Sequence, residues 1–160
     1  MEQLIVGKSL EMQLAALLDT LPSDATVSYM VTRLNEGEEA TIVASSKETI
    51  VHTGASMVKT LILEYVFHLA AQEQLDLNDT IALSRSPRVE GAGALMELVG
   101  NHSFSYLELC RLMMVLSDNW ATNLLIQALG MENINARAEQ LGLEHFEINR
   151  MMMDFTAVKE

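Results

Sequence analysis

An α+β chain is predicted from three features met in order: an amphipathic helical stretch, two β-rich runs across a turn, and then a long series of helical segments. From Leu4 to Leu18, the residues Leu4, Ile5, Leu10, Leu14, Leu17 and Leu18 fall on roughly one helical stripe, and Pro22-Ser23-Asp24 stops the pattern. Val27, Tyr29 and Val31 then alternate with smaller or polar residues. Asn35-Glu36-Gly37 and Thr41-Ile42-Val43 follow, which is the pattern of a hairpin.

From Ser56 to about Gln74, Leu61, Ile62, Tyr65, Val66 and Leu69 recur at helical spacing. After a loop from Asp76 to Gly93, a short helix is expected over Gly93 to Val99. Ser105-Tyr106-Leu107-Glu108 matches a capping box that opens a helix to about Leu116. Asn119 to Leu129 is a further helix closed by Gly130, and Glu132 to Leu141 another closed by Gly142. Two strands make too small a sheet to stand alone, so more strands are expected from elsewhere. The alternative arrangement is an all-α bundle carrying a decorative hairpin.

Composition bounds the function. Of 160 residues, 49% are hydrophobic and 20% charged, an ordinary globular balance. A net charge of −12 repels polyanions, which argues against nucleic acid and anionic membrane surfaces as partners. No apolar run approaches the eighteen or so residues of a membrane span. The first residues lack the basic and apolar regions of a secretory leader, so the sequence as it stands is expected to be cytoplasmic, or extracytoplasmic if a leader has been cut away. Cys110, between Leu109 and Leu112, is expected to be a core thiol. His52, His68, His102 and His145 show no ligand spacing, so neither metal nor cofactor is expected. Met151-Met152-Met153 is expected to fill core, and His52 to be a loop histidine.

Two motifs can carry chemistry. Ser56-Met57-Val58-Lys59 sits where the chain turns helical, and three residues apart on a helix places Lys59 on the face of Ser56. The free N–H groups of a helix start favour developing negative charge. A serine needs both a base and such a site to become an acyl-transfer nucleophile. The plain alternative is a capping serine beside an exposed lysine. Ser117-Asp118-Asn119 occupies the joint between two expected helices, where a hydroxyl and an amide can relay a proton and grip a carbonyl. The alternative here is an N-cap, since all three residue types are preferred caps.

Together the motifs resemble those of penicillin-recognising serine hydrolases of the class A β-lactamase type. The surroundings are similar too: Leu112 through Leu125 around the second motif, Gly91-Ala92-Gly93-Ala94-Leu95 between the motifs, and Leu141-Gly142-Leu143 before the active-site loop. The resemblance runs from the first helix to about Phe155. It implies a β-lactamase/transpeptidase-like fold, with residues 1–50 supplying the N-terminal helix and hairpin of the α/β domain. Residues 51–160 would form the helical domain and the start of the active-site loop. It also implies that Ser56 attacks an amide carbonyl of a β-lactam or D-alanyl-D-alanine-type substrate, and that Lys59 activates it. Ser117 would pass a proton to the leaving nitrogen, Asn119 would hold the substrate amide and the lysine, and the Ser56 backbone N–H would be half of an oxyanion hole.

Two departures stand out. Where class A enzymes carry a deacylating glutamate, two residues after the loop arginine, this chain has Met152, and the nearby carboxylate of Asp154 is shifted by two positions. The family's Lys-Thr-Gly strand motif does not occur in these residues. An incomplete site is therefore expected, with the exposed sheet edge and core surface drawing in either a second copy of the chain, paired through hairpins or first helices, or a complementing C-terminal fragment that carries the remaining strands. The rival to a β-lactamase-like hydrolase is a non-catalytic β-lactam or peptide binder, or a helical interaction protein in which both motifs are caps.

Overall fold

Ser9 opens the first helix, α1 (Leu10–Leu18), by accepting the Met12 N–H on its hydroxyl at 3.4 Å. The computed structural model describes residues 9–34, 36, 37 and 39–156, so the expected start of this helix at Leu4 and Ile5 lies outside the described residues. The chain divides into two units on either side of the His52–Thr53 bond.

In the first unit, β1 (Tyr29–Arg33) pairs antiparallel with β2 (Thr41–Ser46). The register steps from Val31↔Ala44 to Thr32↔Ile42, so Val43 has no partner and the ladder carries a bulge. This is the expected hairpin, shifted: Val27 precedes the strand, and β2 continues to Ser46. Ala44 is buried, whereas Leu10, Met12 and Leu17 on α1 are exposed. His52 lies in a loop, its Nε2 2.8 Å from the Ser28 hydroxyl.

The second unit begins with a single 3-10 turn, Ala55–Met57, which runs into α2 (Val58–Ala71). That helix stops three residues short of the expected Gln74. Glu73 adopts φ +56°, and the N–H groups of Glu73 and Gln74 donate back to the carbonyls of Ala70 and Leu69, which closes the helix end. The expected loop from Asp76 to Gly93 contains a strand, β3 (Thr80–Ala82), paired antiparallel with β4 (Ser103–Ser105). These two strands correct the expectation of a helical run alone. The helix expected over Gly93 to Val99 is one 3-10 turn, Leu95–Glu97. Its first N–H groups are taken by the Asp118 carboxylate, and Leu98 turns extended at ψ 143°.

Ser105 and Glu108 form the expected capping box on α3 (Tyr106–Val115). Asp118 caps α4 (Asn119–Leu129), and Gly130, at φ +85°, joins it to α5 (Met131–Gln140). The N-terminal two turns of α4 are buried on all sides, which makes it the central element of this unit. Ile62 and Val66 of α2, Leu109 and Met113 of α3, and Ile134 of α5 are fully buried around it. Each such side chain contributes about 1.5–3 kcal/mol relative to exposure. Cys110 is in this core, as expected. Of the methionine run, Met151 packs on the core while Met153 is exposed. Arg137 of α5 grips Glu64 of α2 through two hydrogen bonds, 3.0 and 2.5 Å long. Among the described residues no helix is long and apolar enough to cross a membrane.

Candidate active site

Ser56 lies in the 3-10 turn, exposed, directly after Ala55, which takes φ +43°. One turn on, Lys59 is only 3% exposed although it is a lysine. Its ammonium or amine is accounted for by polar neighbours: the Ser117 carbonyl at 2.7 Å, the Ser117 hydroxyl at 2.7 Å, the Asn119 Oδ1 at 3.1 Å and the Ser56 hydroxyl at 3.5 Å. The two serine hydroxyls are 3.4 Å apart. Ser56, Lys59, Ser117 and Asn119, separated by up to 63 positions, thus share one constellation.

Burial lowers the Lys59 pKa from its ordinary value, and the negative charge of Asp118 partly opposes that shift. A lysine held toward its neutral form has a lone pair to accept a proton, which an ordinary surface lysine lacks at neutral pH.

Asp118 builds the joint. One carboxylate oxygen accepts the Ala121 N–H at 2.9 Å and caps α4; the other accepts the N–H groups of Ala94 and Leu95 at 2.7 and 2.9 Å. The Asn119 N–H donates to Ala92 O at 3.0 Å, so the small-residue stretch is tied to the motif from both sides. Ser117 is thereby held at φ +54°, a region that a serine enters only when its surroundings impose it. Asp118 thus caps α4, while Ser117 and Asn119 face Lys59.

The loop after α5 is fastened by two asparagines. Asn135 exchanges two hydrogen bonds with the backbone of Ile148, and Asn123 does the same with Met152. The Asp154 carboxylate accepts the N–H and hydroxyl of Thr156 at 3.1 and 2.7 Å. Arg150 lies 5.4 Å from the Phe155 ring centroid and donates to Asp154 O. A cleft of about 550 Å³ runs between this loop and the Ser86–Glu90 segment, and its walls include neither Ser56 nor Lys59. Asp118 and Gly93, named in the sequence only as members of the second motif and of the small-residue stretch, hold the joint, and Asn123 and Asn135, given no role from sequence, fasten the loop.

Residues 9–160 match the model of the β-lactamase enzyme family. The chain belongs to that family. It is 31% identical over 97 residues to β-lactamase BRO-1 of Moraxella catarrhalis, covering 56% of this chain and 31% of that protein. Its fold is that of PBP-A, with a TM-score of 0.73 at 25% identity over 93% of this chain and 55% of that one. A PBP-A mutant solved as an acyl-enzyme complex with penicillin G gives the same TM-score at 26% identity, over 93% of this chain and 55% of the other. A β-lactamase from Sphaerobacter thermophilus DSM 20745 aligns at 0.67 and 27% identity, over 77% of this chain and 45% of the other. The chain therefore spans about a third of the curated relative and about half of the solved structures. The fold is α+β and of the β-lactamase/penicillin-binding type, and at the level of the family the match supports a β-lactam-related serine hydrolase.

Proposed function

We propose that this chain carries the acylating centre of a penicillin-recognising serine hydrolase, with Ser56 as nucleophile and Lys59 as base. Ser117 is the proton carrier to the leaving nitrogen, and Asn119 binds the substrate amide. The observation that supports this most is the buried Lys59 Nζ, which meets the Ser56 hydroxyl, the Ser117 hydroxyl and the Asn119 amide oxygen within 3.5 Å. Burial makes the lysine a base, the carbonyl of Ser117 and Asn119 fix its direction, and the 3-10 turn presents the Ser56 hydroxyl to solvent.

Met152 gives the proposal its second half. With a thioether where class A enzymes place a glutamate, and with Asp154 committed to Thr156, no carboxylate among these activates a deacylating water. The acyl-enzyme is long-lived, and the protein behaves more as a penicillin-binding protein than as a fast resistance enzyme. A fluorescent penicillin tests this: a covalent adduct surviving denaturing gel electrophoresis is expected, whereas non-covalent binding alone removes the hydrolase reading in favour of a binder.

A further inference from the structure

Ser56 is the most distant of the four oxygens around Lys59 Nζ. A tetrahedral nitrogen has three positions beyond its own carbon, and three oxygens lie within 3.1 Å: the Ser117 carbonyl, the Asn119 Oδ1 and the Ser117 hydroxyl. Ser56 Oγ, at 3.5 Å, is a fourth neighbour at the outer limit of a hydrogen bond. Two of the near three are carbonyl-type oxygens, which only accept. A neutral amine has two N–H groups and one lone pair, so those two oxygens consume both N–H groups. The lone pair then faces the remaining partner, the Ser117 hydroxyl, and takes its proton as a hydrogen bond.

We propose that Ser56 is deprotonated through Ser117, not by Lys59 directly; this rests on the reading of Ser56 as nucleophile. As the Ser56 oxygen bonds to the acyl carbon, its proton passes to Ser117 Oγ while the Ser117 proton passes to Lys59 Nζ. The O–H bonds of both serines break, and one O–H on Ser117 and one N–H on Lys59 form. The adduct carries one negative charge and Lys59 one positive charge. The new ammonium has three N–H groups for the same three oxygens, so no partner is lost in the transfer. Collapse of the adduct runs the relay backward: Ser117 gives its proton to the leaving nitrogen and recovers one from Lys59. The serine-to-serine distance of 3.4 Å is long for an O–H···O bond and shortens as substrate engages Ser56. The imposed φ of +54° at Ser117 holds its carbonyl and hydroxyl on the same nitrogen.

Phenylboronic acid adds to a serine without expelling a leaving group, so it separates nucleophile activation from leaving-group protonation. The relay predicts that Ser117→Ala slows both penicillin G acylation and boronate addition by at least about 10²-fold, the usual worth of a positioned proton-transfer group. Ser117→Gly, which suits the positive φ, is expected to behave alike and guards against misfolding. Boronate addition by the unsubstituted protein should also show a curved dependence on deuterium fraction in mixed water, the mark of two protons in flight. A Ser117→Ala or Ser117→Gly protein that adds boronate within about threefold of the unsubstituted rate, or a linear deuterium dependence, overturns the relay alone. A Ser56→Ala control that still takes up penicillin covalently overturns the reading of Ser56 and the relay with it.

Discussion

Gly93 gives the Asp118 carboxylate the space it occupies: a Cβ at Gly93 would lie 2.3 Å from Asp118 Cγ and 2.8 Å from its Cα, with φ at +130°. The backbone atom cannot yield as a side-chain tip would, and the φ itself strains any larger residue. Gly93→Ala is therefore expected to cost on the order of 3 kcal/mol and to misplace Ser117 and Asn119. Thermal unfolding and penicillin labelling should fall together; an unchanged melting temperature would show that the contact is not fixed.

The proton affinity of Lys59 sets the pH dependence. Its pKa lies below the ordinary 10.5, through burial first and against the opposing pull of Asp118. With the neutral amine as the proposed base, acylation is expected to rise with pH through that lowered pKa. The unfolded chain binds more protons than the folded one between the two values, so this group's contribution to stability rises with pH across the same window, ending near 10.5. Asp118→Asn removes the influence that raises the pKa, and the rate profile is expected to shift to lower pH. The same change leaves amide hydrogens facing the N–H groups of Ala94, Leu95 or Ala121, at a cost of about 2–4 kcal/mol. A profile that moves to higher pH would reverse the electrostatic assignment.

Cys110 is buried in the core at 2% exposure, and desolvation pushes its thiol up to about 11. A thiol that is both covered and protonated is a poor nucleophile. At pH 8 the native protein should react negligibly with a thiol-specific disulfide reagent, and stoichiometrically once denatured. Rapid native reaction would contradict the core packing of α3.

Met152 should make turnover slow after an initial burst of one equivalent. Met152→Glu restores a carboxylate at that position and is expected to raise steady-state hydrolysis of penicillin at least about tenfold, within the range of a positioned general base. Stopped-flow burst and steady-state phases measure both. Rapid turnover by the unsubstituted protein would show that another group activates the water, with Asp154→Asn the next variant.

The sequence made legible those features whose cause is local. The capping box of Ser105 and Glu108 lies within four residues, and the glycines after α4 and α5 sit beside the helices they end. The strands β3 and β4 were not legible, because three residues with a single buried Ile81 or half-buried Phe104 show no period. The expected helix over Gly93 to Val99 stops after one 3-10 turn, where Leu98 turns extended, and the carboxylate that accepts the N–H groups opening that turn belongs to Asp118, more than twenty residues on. The site shows the same division. Ser56 and Lys59 are neighbours by helical spacing, and their link to Ser117 and Asn119 came from a family resemblance. The clamp of Asn123 on Met152 joins residues 29 apart and leaves no trace in spacing.

The central claim is that Ser56 is the residue acylated, and peptide-level mass spectrometry after penicillin G treatment tests it most directly. The account predicts one adduct, on the peptide containing Ser56, lost in Ser56→Ala and slowed by about 10²–10⁴-fold in Lys59→Ala. An adduct on any other residue, or undiminished labelling of Ser56→Ala, would contradict it.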